Sequence, residues 1–189
     1  MSDPRILVVA ATARELAPAG GWRTLRCGVG PVDAAVRTAA AIAADRPSAI
    51  LHVGIAGARR RRALAPASLA IGDASIYCDL GVPETFAPSR IAASPLLLAG
   101  ARRLLPDAPV LAIGTSGRVG GTALCDVEGM EGFAVLRAAE LAGVPSIEIR
   151  AISNDIEEAD RARWHFDAAF DAITAVTPRL VDAMIEAMR

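Results

Sequence analysis

Two carboxylates, an arginine and an amide stand in one stretch of the chain, at spacings that could bring them to a single ligand. Glu128 and Glu131 lie in the turn C-D-V-E-G-M-E-G, and Arg150, Ser153, Asn154 and Asp155 belong to the end of the run I-E-I-R-A-I-S-N-D. A carboxylate can take a proton from water or bond to hydroxyl groups, and an amide both donates and accepts hydrogen bonds. The stretch from Cys125 to Asp155 therefore predicts a site for one small polar molecule.

The elements that must position these side chains follow one another without a break. An apolar helix is predicted over Phe133–Leu141, closed by Gly143 and Pro145, and a buried strand over Ile147–Ile152. In an open α/β sheet, ligands bind beyond the carboxyl ends of the strands. The acidic turn and the end of this strand should therefore place Glu131 and Asn154 within reach of one molecule.

A further acid, Glu15, follows the first predicted strand. The apolar run from Arg5 to Ala11 is typical of a parallel strand covered on both faces, and T-A-R-E-L comes directly after it. The spacing alone favours a capping box, in which Thr12 caps a short helix and Glu15 is its third residue. A position beyond the carboxyl end of a strand also makes Glu15 a candidate site residue.

The remaining pattern predicts an α/β domain. Further strands are expected at Trp22–Cys27, Ala49–Val53, Leu69–Cys78 and Val110–Ile113, and helices from Pro31 to about Ala44, over Pro95–Leu105, and from about Asp167 to Met188. Gly28 and Gly30 favour a tight turn rather than phosphate binding, because the third glycine of a dinucleotide motif is missing. The small Gly57 would let a ligand lie close to the backbone.

Composition excludes several classes of function. The 189 residues predict a single domain over residues 1–189, and 53% hydrophobic residues with a formal charge of -1 indicate a globular protein without an electrostatic case for nucleic acid. All 20 basic residues are arginines, so no lysine Schiff base can form. The three cysteines lack zinc or disulfide spacing. We expect no metal, no cofactor, no membrane segment and a cytoplasmic location.

The motif E-G-M-E-G, followed by R-A-I-S-N, resembles the signature of the nucleoside phosphorylase and nucleosidase superfamily. The similarity is closest to futalosine hydrolases and to methylthioadenosine/S-adenosylhomocysteine nucleosidases, and G-V-G-P and G-x-A-G also resemble motifs of that family. It implies a three-layer α/β/α sandwich with a mixed, largely parallel sheet, a homodimer, and a purine nucleoside as the ligand.

The resemblance also implies a role for each residue of the candidate site. Met130 and Glu131 would hold the ribose hydroxyls, and Glu15 would activate water. Arg150 would orient Glu131 or that water. Gly57 would lie beside the ribose and the base, and Ser153, Asn154 and Asp155 would lie at the purine. Cleavage of an N-ribosidic bond builds positive charge on the sugar and negative charge on the base, which such groups can stabilise.

The residue at position 154 decides between related substrates. An asparagine cannot deliver a proton as a general acid, but its amide can pair with N7 and O6 of a 6-oxopurine. Because relatives acting on 6-oxopurines carry Asn at this place, the expected reaction is hydrolysis of futalosine to hypoxanthine, a step toward menaquinone. A shift that presents Asp155 instead would restore adenine chemistry and a methylthioadenosine nucleosidase.

Several alternatives stay open at the level of sequence. Phosphorolysis would need a phosphate ligand, for which Arg14 is the candidate, and a nucleoside-binding protein without catalysis is a further possibility. The loop 114–123 could cover the base or simply connect elements at the surface. Trp164 and Phe166 could close over the purine or anchor the core. Glu128 is expected to be a loop carboxylate or a partner of Arg118 or Arg137, and both histidines are expected to be structural.

Overall fold

The computed structural model describes residues 4–122 and 124–189. The strands are β1 (Ile6–Ala10), β2 (Arg23–Arg26), β3 (Ala49–Ala58), β4 (Leu69–Tyr77), β5 (Arg90–Ala92), β6 (Val110–Thr115), β7 (Val127–Gly129) and β8 (Ser146–Asp155). The helices are α1 (Pro31–Ala44), α2 (Pro95–Leu104), α3 (Gly132–Leu141) and α4 (Phe166–Met188), with short 3-10 turns at Ala13–Glu15, Arg60–Arg62 and Arg161–Arg163.

All eight strands form one mixed sheet. Its order is β2-β1-β3-β7-β6-β4-β5, and β8 pairs with both β3 and β4. Strands β1, β2, β3 and β8 run parallel to one another, and β4 runs antiparallel to β8. Because β3, β7, β6, β4 and β8 are paired in a closed ring, the sheet curves around a small apolar interior that includes Ile113, Val127 and Ile152.

Helices cover both faces of the sheet. Strand β1 shows why, since Ile6 and Val8 face one core, with α2 and α4, while Leu7 and Val9 face the other, with α1 and α3. A strand that alternates its side chains between two buried faces needs an apolar residue at every position. The predicted three-layer α/β/α sandwich with a mixed sheet is confirmed.

Glycine turns set the ends of the helices nearest the candidate site. Gly28 and Gly30 have φ angles of 87° and 90°, and Pro31 is the first residue of α1. Such angles are readily adopted by glycine. Proline suits the first turn of a helix because the backbone N–H groups of that turn have no partner within the helix, so its lack of an N–H loses no hydrogen bond. Gly143, with φ of 63°, ends α3 as predicted. Within the described residues, no helix combines the length and apolar character needed to cross a bilayer.

Candidate active site

A cavity of about 460 Å³ opens where β1, β3 and β8 end. This volume lies in the range of about 300–1,000 Å³ that is typical of small-molecule sites. The cavity is lined by six of the eight predicted site residues, which are Glu15, Gly57, Met130, Glu131, Ser153 and Asn154. Residues from four separate parts of the chain therefore meet at the carboxyl edge of the parallel strands.

Glu131 is held at the start of α3 by two groups behind the cavity wall. Its Oε1 accepts a hydrogen bond of 3.0 Å from the backbone N–H of Gly30, and its Oε2 lies 3.6 Å from Arg150 Nη2. Burial raises the pKa of Glu131, and the charge of Arg150 and the Gly30 hydrogen bond partly oppose that rise. The turn at Gly28–Gly30, which the sequence assigned to tight packing, therefore also orients a candidate site carboxylate.

Arg150 lies behind Glu131 and does not line the cavity, so it is placed to orient Glu131, one of the roles that the resemblance implies, and not to bind a substrate directly. It is only 1% exposed, and its Nε donates to Glu148 Oε1 at 2.7 Å. Burial acts to lower the pKa of Arg150, but the carboxylates of Glu148, Glu131 and Glu15 outweigh it and raise that pKa. Arg150 is therefore a positioning residue, and three carboxylates share its single positive charge.

His52 completes the support of Arg150. Its Nε2 lies 2.6 Å from Arg150 Nη2, and its Nδ1 lies 3.0 Å from the carbonyl oxygen of Val9. A guanidinium only donates, so Nε2 must be the acceptor and Nδ1 must carry the proton. Burial and the charge of Arg150 hold the pKa of His52 well below its usual value, which keeps the ring neutral.

We expect the change Arg150→Met to destabilise the fold strongly. Removing one partner of a buried ion pair costs about 3–5 kcal/mol, because the remaining carboxylate of Glu148 stays buried without its counter-charge. The free energy of unfolding in urea measures this loss. The control is Arg137→Met, since Arg137 pairs with Glu140 at the surface, where such pairs contribute about 0–1 kcal/mol. Equal unfolding midpoints for the two variants would contradict the central role of Arg150.

Glu15 serves the capping box and faces the cavity at the same time. Its Oε2 accepts from the N–H and the hydroxyl of Thr12 at 2.8 and 2.7 Å, and its Oε1 accepts from the N–H of Ile55 at 3.2 Å. A carboxylate has about four acceptor positions, so one remains at Oε1. The carboxylate is 4% exposed, and its fixed orientation leaves that position for a water or ligand hydroxyl in the cavity.

The side chain of Asn154 is oriented by its neighbours in β8. Its Oδ1 accepts from the Ser153 hydroxyl at 2.7 Å, and its Nδ2 donates to the carbonyl oxygen of Asp155 at 2.9 Å. One N–H of the amide and further acceptor capacity at Oδ1 remain for a ligand. Gly57 is paired with Asn154 across the strands, and a Cβ at Gly57 would stand 3.1 Å from Nδ2. A small residue at position 57 is therefore required for the amide to lie there.

Asp155 does not line this cavity, which corrects its prediction as a substrate-binding residue. The pairing of β3 with β8 is irregular just before this point, between Ala56 and Gly57, and the Asp155 carboxylate is bound outside the cavity. Its Oδ2 accepts from Arg60 Nε at 3.1 Å, and it borders a separate polar cavity of about 240 Å³. The run of four arginines is thus partly neutralised by acids, including Asp155 and Asp126.

Glu128 fastens the loop of residues 116–122, the described part of the predicted loop that follows β6, to the site. Its carboxylate accepts from the N–H of Gly120 at 2.5 Å and from the hydroxyl of Thr122 at 2.6 Å. These groups, rather than Arg118 or Arg137, are its partners, so the prediction of an arginine partner is wrong. Since the loop also places Val119 on the cavity wall, it contributes to the site and is more than a surface connection.

Residues 161–170 provide cavity-lining side chains that the sequence only partly indicated. Trp164 and Phe166, which were candidates for either the site or the core, line the cavity, and so do Arg161 and Phe170. The spacing of Phe166 and Phe170, four positions apart at the start of α4, could have indicated that both face the same side. No comparable signal exists for Val29, which follows Gly28 in a turn and reaches the cavity from there.

Nothing in the described ranges 4–122 and 124–189 groups three or more His, Cys, Asp or Glu side chains so that they could hold a metal ion. The polar groups on the cavity wall are carboxylates, an amide, hydroxyls and the guanidinium of Arg161, which suit a ligand with several hydroxyl and ring nitrogen groups. The three carboxylates around Arg150 also make the cavity floor favour positive charge on the ligand.

Comparisons with known proteins show the family and the fold of the chain. The profile of the Phosphorylase superfamily matches residues 23–186. A futalosine hydrolase of Streptomyces coelicolor is 32% identical, over 87% of this chain and 80% of that protein. A Helicobacter pylori MTAN mutant solved with 5'-methylthioadenosine in the active site shares the fold with a TM-score of 0.82 at 17% identity, covering 96% of this chain and 99% of that one. The futalosine hydrolase of Helicobacter pylori gives a TM-score of 0.79 at 17% identity, covering 97% and 98%.

Proposed function

The chain belongs to the phosphorylase superfamily, and we propose that it hydrolyses the N-ribosidic bond of futalosine and releases hypoxanthine. Its relatives by sequence and by fold are nucleosidases, and the chain is an N-glycosyl hydrolase of this kind. The single observation that carries the choice of futalosine is the amide of Asn154 on the cavity wall, while the Asp155 carboxylate accepts from Arg60 outside that cavity.

The ribose would lie on Glu131 and Met130. Glu131 is buried beside Arg150 and is oriented by Gly30, so its carboxylate can hold two neighbouring hydroxyl groups in a fixed direction. Bond cleavage creates an oxocarbenium-like sugar, and a carboxylate placed in advance stabilises that positive charge without rearrangement. The three carboxylates around Arg150 outnumber its single positive charge, and this also favours a positively charged sugar.

Glu15 would take a proton from the attacking water. Its Oε1 retains one acceptor position, and the bonds from Thr12 and Ile55 fix that position in the cavity. A water bound there would approach the anomeric carbon of a ribose held on Glu131, since both carboxylates line the same cavity. General base catalysis of this kind contributes about 10²- to 10⁴-fold.

Asn154 would stabilise the departing base. A 6-oxopurine leaves as an anion whose charge spreads to O6 and N7, and the free N–H of the Asn154 amide can bond to these acceptors. Adenine has an amino group in place of O6 and needs a proton at N7 before it leaves easily, which an amide cannot supply. The same site with a carboxylate at position 154 would suit adenine, so methylthioadenosine hydrolysis is the second candidate.

The variant Asn154→Asp is expected to exchange these preferences. A carboxylic acid at position 154 can protonate N7 of adenine but, when ionised, repels O6 of hypoxanthine. We expect kcat/KM for futalosine to fall about 10²-fold and that for methylthioadenosine to rise about 10²-fold, the lower end of a general acid contribution. Chromatography of the released bases measures both. The control is Asp155→Asn, which changes a carboxylate outside the cavity and keeps the Asn154 amide. An unchanged ratio in Asn154→Asp would contradict contact between position 154 and the base.

Water, rather than phosphate, is the proposed second substrate. Arg14, the candidate phosphate ligand, does not line the cavity; its Nη2 pairs with Asp167 at 2.5 Å and its guanidinium covers Phe170. Base release in phosphate-free buffer, at a rate that added phosphate leaves unchanged, is the expected result. Strict dependence on phosphate would establish a phosphorylase instead.

The purified protein should therefore be incubated with futalosine and, separately, with methylthioadenosine. Hypoxanthine release from futalosine at a much higher kcat/KM is expected, and adenine release alone would overturn the assignment. The proposed reaction would serve menaquinone synthesis in the cytoplasm.

A homodimer is also part of the proposal. Val29, on the cavity wall, and Val32 and Val36, on α1, are 61%, 75% and 65% exposed, and a second copy could cover them. Sedimentation at the mass of a monomer would exclude that dimer.

A further inference from the structure

Two of the three cysteines lie side by side, although no disulfide spacing is visible in the sequence. Cys78 directly follows β4 and Cys125 lies two residues before β7, and their Sγ atoms are 4.0 Å apart, where they share a hydrogen bond. Cys78 is half-buried and Cys125 is buried. A small oxidant can therefore reach a thiol that already has a second thiol beside it.

The fold holds this pair over a glycine of β6. Cys78 N donates to the carbonyl oxygen of Thr115 at 2.9 Å, which continues the pairing of β4 with β6 beyond Tyr77. A Cβ at Gly114 would stand 3.1 Å from Cys78 Sγ and 3.0 Å from Cys125 Cβ, so only glycine leaves both side chains their space. An S–S bond is about 2.05 Å long. The two sulfurs would have to approach each other by about 2 Å, a shift that rotation about the Cα–Cβ bonds can supply.

The two thiols of this pair differ in reactivity. A hydrogen bond from the Cys125 thiol holds the pKa of Cys78 below its usual value, against the opposing effect of burial. The same hydrogen bond, together with burial, raises the pKa of Cys125, which therefore keeps its proton. Because the thiolate is the nucleophile, Cys78 is the attacking group and Cys125 the resolving one. Cys27, in contrast, is fully buried in the core against α1 and α3, and burial raises its pKa to about 12.

We propose that Cys78 and Cys125 are an oxidation site, at which hydrogen peroxide converts the two thiols into an intrachain disulfide. The Cys78 thiolate attacks one peroxide oxygen; an S–O bond forms, the O–O bond breaks, and the departing hydroxide takes up the proton that Cys78 had released. The Cys125 sulfur then attacks Cys78; an S–S bond forms, the S–O bond breaks, and the hydroxide leaves as water with the Cys125 proton. The thiols lose two electrons, and the peroxide is reduced to two waters.

The disulfide would tie the loop on the cavity wall to the end of β4. The loop of residues 116–122 lies between β6 and Cys125, and its Val119 lines the cavity. Asp79, the residue after the first cysteine of the pair, already holds the start of this loop through Ser116 Oγ at 3.0 Å. A bond at Cys125 would fasten the other end of the loop to the same place. The tie forms whether or not the cavity binds a nucleoside, so it is independent of the proposed function.

The test treats the full-length protein with an excess of hydrogen peroxide, blocks the remaining thiols with iodoacetamide, and digests the protein with trypsin under non-reducing conditions. The chain has no lysine, so trypsin cuts only after arginine. The three cysteines then fall in separate peptides, which are 27–37, 63–90 and 119–137. Mass spectrometry shows which of these peptides are joined. The same treatment is applied to serine variants of each cysteine.

In the wild type and in the control Cys27→Ser we expect the peptides 63–90 and 119–137 to be joined, and dithiothreitol to separate them. The unfolding midpoint of the oxidised wild type should shift to higher urea, because a cross-link between distant residues restricts the unfolded chain. Dithiothreitol should reverse that shift. In Cys125→Ser, Cys78 should stop at the sulfenic acid, which dimedone traps. In Cys78→Ser, Cys125 should stay a free thiol.

Several results would show that the two thiols do not react as a pair and would overturn the site. They are a disulfide between two chains, a disulfide that includes Cys27, and sulfinic acid at Cys78 while Cys125 stays reduced. A wild type that keeps all its thiols in excess peroxide would overturn the site as well. Base release is not one of these readouts, so failure of the oxidation site leaves the proposed function standing, and an inactive protein that forms the disulfide refutes only the proposed function.

Discussion

Replacing Glu131 by glutamine is expected to lower kcat for futalosine by about 10²- to 10³-fold while the protein stays folded. The amide keeps an oxygen that can accept from Gly30, but it has no negative charge to stabilise the oxocarbenium-like ribose. Stability should change little, because two effects oppose each other. The variant has a weaker contact with Arg150, but it no longer buries a carboxylate, whose burial raises its pKa in the wild type. Steady-state release of hypoxanthine measures the effect, with circular dichroism as the test of folding.

The pH dependence of the wild type gives an independent check on Glu131. Only the ionised carboxylate can stabilise positive charge, so activity is present above the pKa of Glu131 and is lost as the pH falls through it. Because burial raises that pKa, the loss should begin at a higher pH than for an exposed glutamate. Glu140→Gln, at the exposed end of the same helix, should keep both kcat and the pH profile. A Glu131→Gln variant with normal turnover would favour a binding protein without catalysis.

Replacing Glu15 by glutamine is expected to lower kcat by about 10²- to 10⁴-fold, the usual contribution of a general base. A glutamine oxygen can still accept from Thr12, but the NH2 group that replaces Oε1 can neither accept from Ile55 nor take a proton from water. KM should change less than kcat, because the proposed contact with water matters mainly in the transition state. Single-turnover measurements of base release would show the loss in the chemical step directly.

The control for Glu15 is Thr12→Ala, which removes a hydroxyl that bonds to Glu15 but keeps the carboxylate. If Glu15 served only the capping box, both changes would lower stability by about 0.5–2 kcal/mol and would affect turnover to a similar small extent. If Glu15 is the base, Glu15→Gln should lose far more activity than Thr12→Ala at equal stability. Similar kcat values for the two variants would leave Glu15 with a structural role alone.

Local chemistry explains which elements the sequence could predict. Helix α1 has the predicted bounds because Gly30 and Pro31 start it, and α3 ends at Gly143 because only a residue tolerant of positive φ fits there. Strands β5 and β7 were not predicted, since each has three residues and depends on pairing with distant strands. The closed ring of strands was not predicted for the same reason, because no local sequence pattern shows which strands pair.

The strands at the site were predicted too short for a related reason. Strand β3 continues through Gly54–Ala58 and β8 through Ser153–Asp155, where glycine and polar residues do not look like strand interior. Their pairing with each other keeps these segments extended. The assignment of Asp155 to the purine was wrong because its partner Arg60 is distant in the sequence, and no local pattern indicates that contact.

The predicted site depended on the carboxyl ends of parallel strands meeting at one edge of the sheet. Glu15 and Asn154 were predicted after or at the end of a strand and Glu131 in the turn before the helix, and the three residues line one cavity. The support behind them was not predictable, because Arg150, Glu148 and His52 are joined by contacts between strands that the sequence keeps far apart. Of the aromatic residues after β8 that line the cavity, Trp164 and Phe166 were named for either the site or the core, and Phe170 was not named. The sequence could not decide, because an aromatic residue at a helix start is common in cores.

The most direct measurement is a crystal structure of Glu15→Gln bound to futalosine. We expect the purine N7 and O6 within hydrogen-bond distance of the Asn154 amide, the ribose hydroxyls on Glu131, and a water between residue 15 and the anomeric carbon. A nucleoside bound with its base away from Asn154 and its ribose away from Glu131, or bound outside this cavity, would contradict the proposed mechanism.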